Sequence, residues 1–538
     1  MPPTVPLESR PSNDVEQTPS RITFLMYDDQ SGIIQPHEPL EGYEPGGFHP
    51  VALGDTFPSS RLGQNTGRYT IRHKLGFGGY STVWLAWDDR DRVWVSVKIK
   101  KASASTPKLD EDPEISISFE LERHYVSGLQ DKPRWFVRPL DSFQHIGVNG
   151  THNCLVTELL GPTVSKVVRT YNEVDETLRP DTILRASRQL LEGLAITHEI
   201  GYLHGDISPA NIAFTCHKTL NHDEYLFDDL GGEPMTADWG STAIPRPAHL
   251  PKHIVKTADW ALWYDSPWED VRLIDWGSAF PVTTTVPADV HGQPFNLQSP
   301  ETFFIGLLDY KHDLWRAGCV VYTLFYQEYP FRLGGNANHF YICRLIEKLG
   351  PLPEAWRAKW IQMVHEAKMG DIDVQNIVPQ PILETFEDRL RAIIKTCEEP
   401  EDEKRYADDE YSPYDYQALR NIQKVIEGLL RYQPEERVSA KEAAGYIEWN
   451  DHRRADSWNE DDGQEEEEHS EEEEEEERKG KEVDDDGESS KDKVKFQFTV
   501  ALLEDDAGTA ERNLEQGGSS SKAKGNLEAR KCVAMDSI

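Results

Sequence analysis

The chain predicts an α+β fold of two unlike lobes, a small β-rich lobe followed by a larger helical one, with a disordered acidic tail after them. Three observations carry this. Short runs rich in Val, Ile, Trp and Tyr, separated by Gly, Pro and Asp turns, fill the first third of the ordered part. Helical periodicity takes over after Val164, as in Thr182–Glu199, where Leu184, Leu190, Leu191, Leu194 and Ile196 share one broad face. Beyond residue 450 come glutamate and aspartate runs that cannot bury enough apolar surface to fold alone.

Each element follows in order. Residues 1–41 are rich in Pro, Ser and Asp and read as a disordered arm, and 42–68 as an extension leading into the folded unit. That unit spans 69–449, its first lobe about 69–158 and its second about 162–449, with an insertion over about 216–269. Strands are expected at Tyr69–Leu75, Thr82–Trp87 and Arg92–Lys100. Further helices are expected at Asp313–Tyr326, Phe340–Lys348, Glu384–Thr396 and Tyr416–Leu430. Residues 450–538 form the tail.

Composition bounds the function. With 538 residues, 10% aromatic content and 14 tryptophans, the chain is too aromatic to be wholly disordered and long enough for two lobes. The formal net charge is −38, and the stretch Asp451–Ile538, with 29 acidic and 13 basic residues, accounts for under half of it. Such a chain repels phosphate backbones and anionic membranes, so a basic protein partner is expected, with no direct nucleic-acid or membrane binding. No apolar run of about 18 residues predicts a membrane span. The first residues lack the basic-then-apolar pattern of a secretion signal. Six scattered cysteines without a CxxC pair predict an intracellular, disulfide-free chain with no zinc site. The expected compartment is the cytoplasm, with the nucleus open, and the expected state a monomer.

Four motifs converge on phosphate chemistry. Leu75-Gly76-Phe77-Gly78-Gly79-Tyr80-Ser81-Thr82-Val83 lies between two expected strands, where glycines let backbone N–H groups approach phosphate oxygens. Its strand–turn–strand setting argues against a dinucleotide fold, which needs a helix next. In Val95-Ser96-Val97-Lys98 a lysine sits inside an apolar strand, costly unless it meets an anion. That spacing suits a lysine on the α- and β-phosphates, oriented by a helix glutamate. The candidate is Glu120, with Glu122 as its rival.

The strongest local signal is Leu203-His204-Gly205-Asp206-Ile207-Ser208-Pro209-Ala210-Asn211. An Asp followed five residues later by Asn is the layout of a phosphotransfer loop, with Asp206 accepting the hydroxyl proton and Asn211 ligating Mg²⁺. An Asp-x-Gly metal ligand is offered twice. Asp275 follows the apolar run Val271–Ile274 and is the expected ligand; Asp238 is a decoy within the insertion. Downstream, Ser299-Pro300-Glu301, Asp313–Gly318 and Pro434–Arg437 complete the order, with a buried Glu301–Arg437 ion pair expected.

At this point the chain resembles the eukaryotic protein kinases, and more narrowly the SR-protein kinases, which phosphorylate Arg-Ser repeats of splicing factors. Tyr43–Phe57, Lys74–Asp88 and Asp141–Gly161 carry the narrower match, and the resemblance spans about residues 42–449. It implies a two-lobed protein kinase-like fold, ATP and Mg²⁺ as cofactors, Glu158–Leu160 as the adenine-binding linker, and basic Arg/Ser-rich protein substrates. The acidic segment Cys397–Glu410 is then a candidate docking surface for arginine-rich peptide. Three departures stand out. Ser208 replaces the expected catalytic-loop lysine, Gly205 replaces an arginine, and the spacer between Asn211 and Asp275 is short. Two alternatives remain at this stage: a pseudokinase scaffold, motivated by Ser208, and an aminoglycoside- or choline-like small-molecule phosphotransferase, which shares the HGDxxxxN motif.

Overall fold

Antiparallel strands, some with alternating burial, build the first lobe. In the computed structural model, which describes residues 26–27 and 34–449 except for 60–66, 131, 241–243, 264, 290–293, 332–337, 367–380, 383–384 and 399–413, the alternation is clearest in β4. Strands β1 (Thr56–Phe57), β2 (Tyr69–Phe77), β3 (Ser81–Asp88), β4 (Val93–Lys100), β5 (Pro139–Gly147) and β6 (Gly150–Glu158) form one antiparallel sheet in the order β1-β2-β3-β4-β6-β5. Val95, Val97 and Ile99 of β4 point into an apolar cluster with Ile71, Trp84 and Val156, while Ser96, Lys98 and Lys100 alternate to the other face. Across the sheet Lys98 stands opposite Val83 and Leu155. This alternation is why a lysine within an apolar strand faces the cleft.

Helix α1 (Pro113–Gly128) packs beside the sheet. Asp112 caps it, accepting from the Glu114 and Ile115 amides, and Pro113 occupies its first position, where the missing N–H costs nothing. The cap carboxylate also receives Lys100 Nζ at 2.8 Å and Asn153 Nδ2 at 2.8 Å, fastening the start of α1 to β4 and β6.

The second lobe is helical around a large core. Helices α2 (Val164–Glu173), α3 (Pro180–Ile200), α4 (Lys311–Tyr326), α5 (Asn338–Leu349), α6 (Glu354–Glu366), α7 (Phe386–Glu398) and α8 (Asn421–Leu429) enclose it, with α4 buried over most of its length. Gly318 lets α4 approach α8 closely: a Cβ there would lie 2.8 and 2.9 Å from Leu430 and Leu429 side-chain atoms. The expected helices therefore stand, with one difference. Tyr416–Leu430 is split in two, Tyr414–Leu419 and α8, because the Arg420 amide bonds the Gln417 carbonyl three residues back instead of continuing the α-helical ladder. The expected Glu301–Arg437 pair is present and buried, a bidentate contact at 2.8 and 2.6 Å.

The arm departs from expectation at its end. Tyr27, Ile34 and Leu40 are buried with Tyr43 and Phe48 against Ala237, Leu250 and Ile254 of the insertion. There the insertion forms a hairpin of β7 (Thr236–Asp238) and β8 (His253–Val255). Buried Lys74 of β2 joins the three parts, donating to Glu38 of the arm at 2.6 Å and to the Val255 carbonyl of the insertion at 3.1 Å. Residues 34–41 are thus packed rather than disordered. Their apolar partners lie about two hundred residues away, beyond any local compositional signal. The candidate docking segment falls outside the described residues apart from its first two positions, as does the tail.

Candidate active site

The site forms where the glycine hairpin, α1 and the loops before α4 meet. The β2–β3 turn is closed by the Gly78 amide on the Ser81 carbonyl at 2.8 Å, and Tyr80 at its tip is exposed. Cβ atoms at Gly76, Gly78 or Gly79 would meet nothing within 4 Å, so the space against this backbone is open for a ligand. Leu75 and Phe77 are half-buried, and Thr82 and Val83 carry the chain into β3, where Val83 faces Lys98.

Lys98 Nζ lies 2.5 Å from Glu114 Oε1 and 3.0 Å from Asp275 Oδ1. Burial disfavours its charge, but Asp275 and Glu114 outweigh that and raise the ammonium's pKa above its ordinary value. Lys98 in turn holds the Asp275 carboxyl below the ordinary range, against the opposing effect of burial.

The expected partner Glu120 is elsewhere. It pairs with Arg123 at 3.6 Å, and its rival Glu122 pairs with Arg134. Glu114, Ser118 and Leu121 form the buried stripe of α1, and Glu120 lies about 120° around the helix from Glu114. The signal that finds Glu114 was available: Asp112-Pro113 marks a helix start, which puts Glu114 in the first turn.

The phosphotransfer loop is held from below. Asp313, in the first turn of α4, accepts from the His204 amide at 2.7 Å, the Gly205 amide at 2.9 Å and His198 Nε2 at 3.1 Å. Burial would raise its pKa, but the His198 hydrogen bond and these amides bring it down to about 2. His204 Nε2 contacts the Ile274 carbonyl at 3.0 Å and its ring packs against buried Trp276, tying this loop to Asp275.

Asp206 is partly exposed, with Oδ1 accepting from Arg316 Nη2 at 2.6 Å and Oδ2 from Asn211 Nδ2 at 2.8 Å. Asn211 Nδ2 also reaches the Asp206 carbonyl, so its amide oxygen is the atom left for a cation. Asp275 is in the left-handed region at φ 64°, half-exposed, and the Ile274 amide before it bonds the Asn211 carbonyl at 3.0 Å. The structure therefore brings together Lys98, Asp206, Asn211 and Asp275. Asp238 is on the exposed edge of the β7–β8 hairpin, opposite His253.

The expected adenine-binding linker, Glu158–Leu160, begins at the last residue of β6. Glu158 accepts from the Arg138 amide at 2.7 Å and lies 3.8 Å from Arg272, so its carboxylate is engaged within the protein. Leu159 is buried and Leu160 half-buried. Gly205 explains one departure: at φ 78°, any Cβ there would sit 2.3 Å from the Ser278 carbonyl oxygen. An arginine does not fit. Ser208 is buried with extended backbone and places no cation beside Asp206.

Two protein oxygens, Asn211 Oδ1 and an Asp275 carboxylate oxygen, suit Mg²⁺, which keeps waters and takes its remaining ligands from phosphates. Among the described residues no cluster of three or more His, Cys, Asp or Glu forms a self-sufficient metal cage. The donor set fits a metal that arrives with a nucleotide.

Comparison with known proteins agrees with this geometry. The protein kinase domain model matches residues 69–446. The chain is 34% identical over 177 residues to serine/threonine-protein kinase spk-1 of Caenorhabditis elegans, covering 33% of this chain and 16% of that protein. It is 27% identical over 334 residues to serine/threonine-protein kinase SRPK of Physarum polycephalum, covering 60% and 74%. It is 34% identical over 223 residues to SRSF protein kinase 3 of Homo sapiens, covering 41% and 35%. The matched part thus spans about a sixth of the nematode relative and a third of the human one. With the lysine–glutamate pair, the held Asp206–Asn211 loop and Asp275 in one cleft, the chain belongs to the protein kinase family.

Proposed function

We propose that the protein transfers the γ-phosphoryl group of Mg²⁺-bound ATP to serine, and to threonine, in Arg/Ser-rich proteins such as splicing factors. The observation that carries the reading is the convergence of Lys98, Asp206, Asn211 and Asp275, four residues spread over 178 positions, on one cleft. The similarity to kinases named for SRPK and SRSF supports the substrate class, as does the net charge of −38, which favours a basic partner.

In this reading the backbone of Gly76–Ser81 covers the phosphates and Lys98, oriented by Glu114, holds two of them. Asn211 and Asp275 would hold the metal, whose charge would offset that of the phosphates. Asp206 accepts a hydrogen bond from the substrate hydroxyl and aims it at phosphorus; catalysis is then positioning plus charge stabilisation. Backbone groups of Glu158–Leu160 receive the adenine. Among the described residues Cys154, Cys216, Cys319 and Cys343 are free thiols, which supports the intracellular location we propose; a monomer is part of the same proposal.

The test is transfer of label from γ-labelled ATP to an Arg-Ser repeat protein, beside a generic basic protein and small aminoalcohols. Preferential labelling of the repeat protein is expected. Labelling of aminoalcohols alone, or of nothing despite nucleotide binding, would reject the proposal. Affinity for the repeat protein should fall steeply with salt.

A further inference from the structure

The charge missing from position 208 has a counterpart one layer beneath the loop. Arg316 projects from α4, and its side chain is fully buried. Nη2 donates to Asp206 Oδ1 at 2.6 Å and Nε to the Ile207 carbonyl at 2.5 Å, so one planar fork spans two successive residues of the loop. Nη1 is buried and has no hydrogen-bond partner among the described residues. A buried guanidinium with an unsatisfied nitrogen is a poor device for stability, because desolvation opposes the Coulombic gain. Its carboxylate partner keeps contact with solvent, with 27% of the side chain exposed. Stability alone does not account for the arrangement.

We propose that Arg316 is a positioning residue for Asp206. With Arg316 on Oδ1 and Asn211 on Oδ2, the carboxylate is gripped at both oxygens from separate elements and cannot rotate about its terminal bond. Helix α4 is a rigid platform for this: Asp313, one turn earlier, holds the His204 and Gly205 amides, and Gly318 seats the helix tightly on α8. Arg316 lies under the loop and acts on the orientation of Asp206, leaving the phosphates to Lys98 and the metal ligands. The inference rests on the proposed role of Asp206 in protein phosphorylation.

The test compares wild type with Arg316→Met and Arg316→Lys in kinetics, urea unfolding and hydrogen exchange. Arg316→Met should keep the unfolding midpoint, because the abandoned Asp206 remains solvated, while kcat falls at least about tenfold and KM for ATP stays within about twofold. Arg316→Lys keeps the charge but loses the fork, and its kcat should fall between the two. Unchanged kcat in Arg316→Met, or a fall in step with lost stability, overturns the inference. Should Arg316→Met fail to fold, full kcat in Arg316→Lys overturns it and reduced kcat at an unaltered midpoint supports it. Should wild type label no protein at all, the proposed function fails, and exchange decides the rest. Faster exchange at residues 204–211 of either folded variant then supports the grip on the loop, and unchanged exchange rejects it.

Discussion

Glu114 Oε1 lies 2.5 Å from Lys98 Nζ, while Glu120 and Glu122, later on the same helix, pair with Arg123 and Arg134. The helix phase that buries Leu121 decides which carboxylate enters the cleft. Truncating Glu114 to Ala should therefore lower kcat/KM by on the order of tenfold to a hundredfold through a misplaced Lys98, and Glu120→Ala should leave it near wild type. Steady-state kinetics of the two variants check this. Equal effects would mean that Glu114 has no special role.

Gly205 has no tolerance for a side chain. Its φ of 78° and the 2.3 Å approach to the Ser278 carbonyl mean that Gly205→Ala combines a left-handed residue with a backbone clash. We expect a loss of at least about 2 kcal/mol, read as a lowered urea midpoint, with Gly205→Arg worse.

The Glu301–Arg437 pair is almost wholly buried, so removing one member leaves a charge without a counter-ion. Arg437→Met should cost about 3–5 kcal/mol in equilibrium unfolding. The double replacement Glu301→Met/Arg437→Met should cost less than Arg437→Met alone, since the stranded carboxylate is gone. A double variant less stable than the single one would contradict this.

Asp313 sets an acid limit on the loop. Its pKa falls from 3.8 to about 2 in the folded protein, so the folded state favours the carboxylate. The stabilisation is complete above about pH 4 and is lost as pH falls through about 2, amounting to about 2 kcal/mol. Urea unfolding between pH 2 and 6 should show this loss, and Asp313→Asn should flatten the acid limb while lowering the plateau.

How much was legible in the sequence follows from how local each signal is. Asp206, Asn211 and Asp275 sit in short motifs whose spacing encodes one loop and one strand end, and the structure brings them together. The alternation of β4 likewise announced Lys98. Glu114 carries a signal left unread, the Asp112-Pro113 helix start that puts it in the first turn of α1, whereas Glu120 and Glu122 lie later on the same helix. The packing of residues 34–41 onto the β7–β8 hairpin, and the contact between Gly205 and Ser278, join segments that no local pattern relates. Arg316 belongs to the same class, since a helix residue gives no sign of the loop above it.

The most direct measurement of the central claim is label transfer from γ-labelled ATP to an Arg-Ser repeat protein by wild type and Asp206→Ala, with nucleotide binding followed in parallel. The account predicts that wild type labels the repeat protein and that Asp206→Ala loses about 10²- to 10⁴-fold in rate while still binding nucleotide. Transfer by Asp206→Ala at the wild-type rate would contradict it.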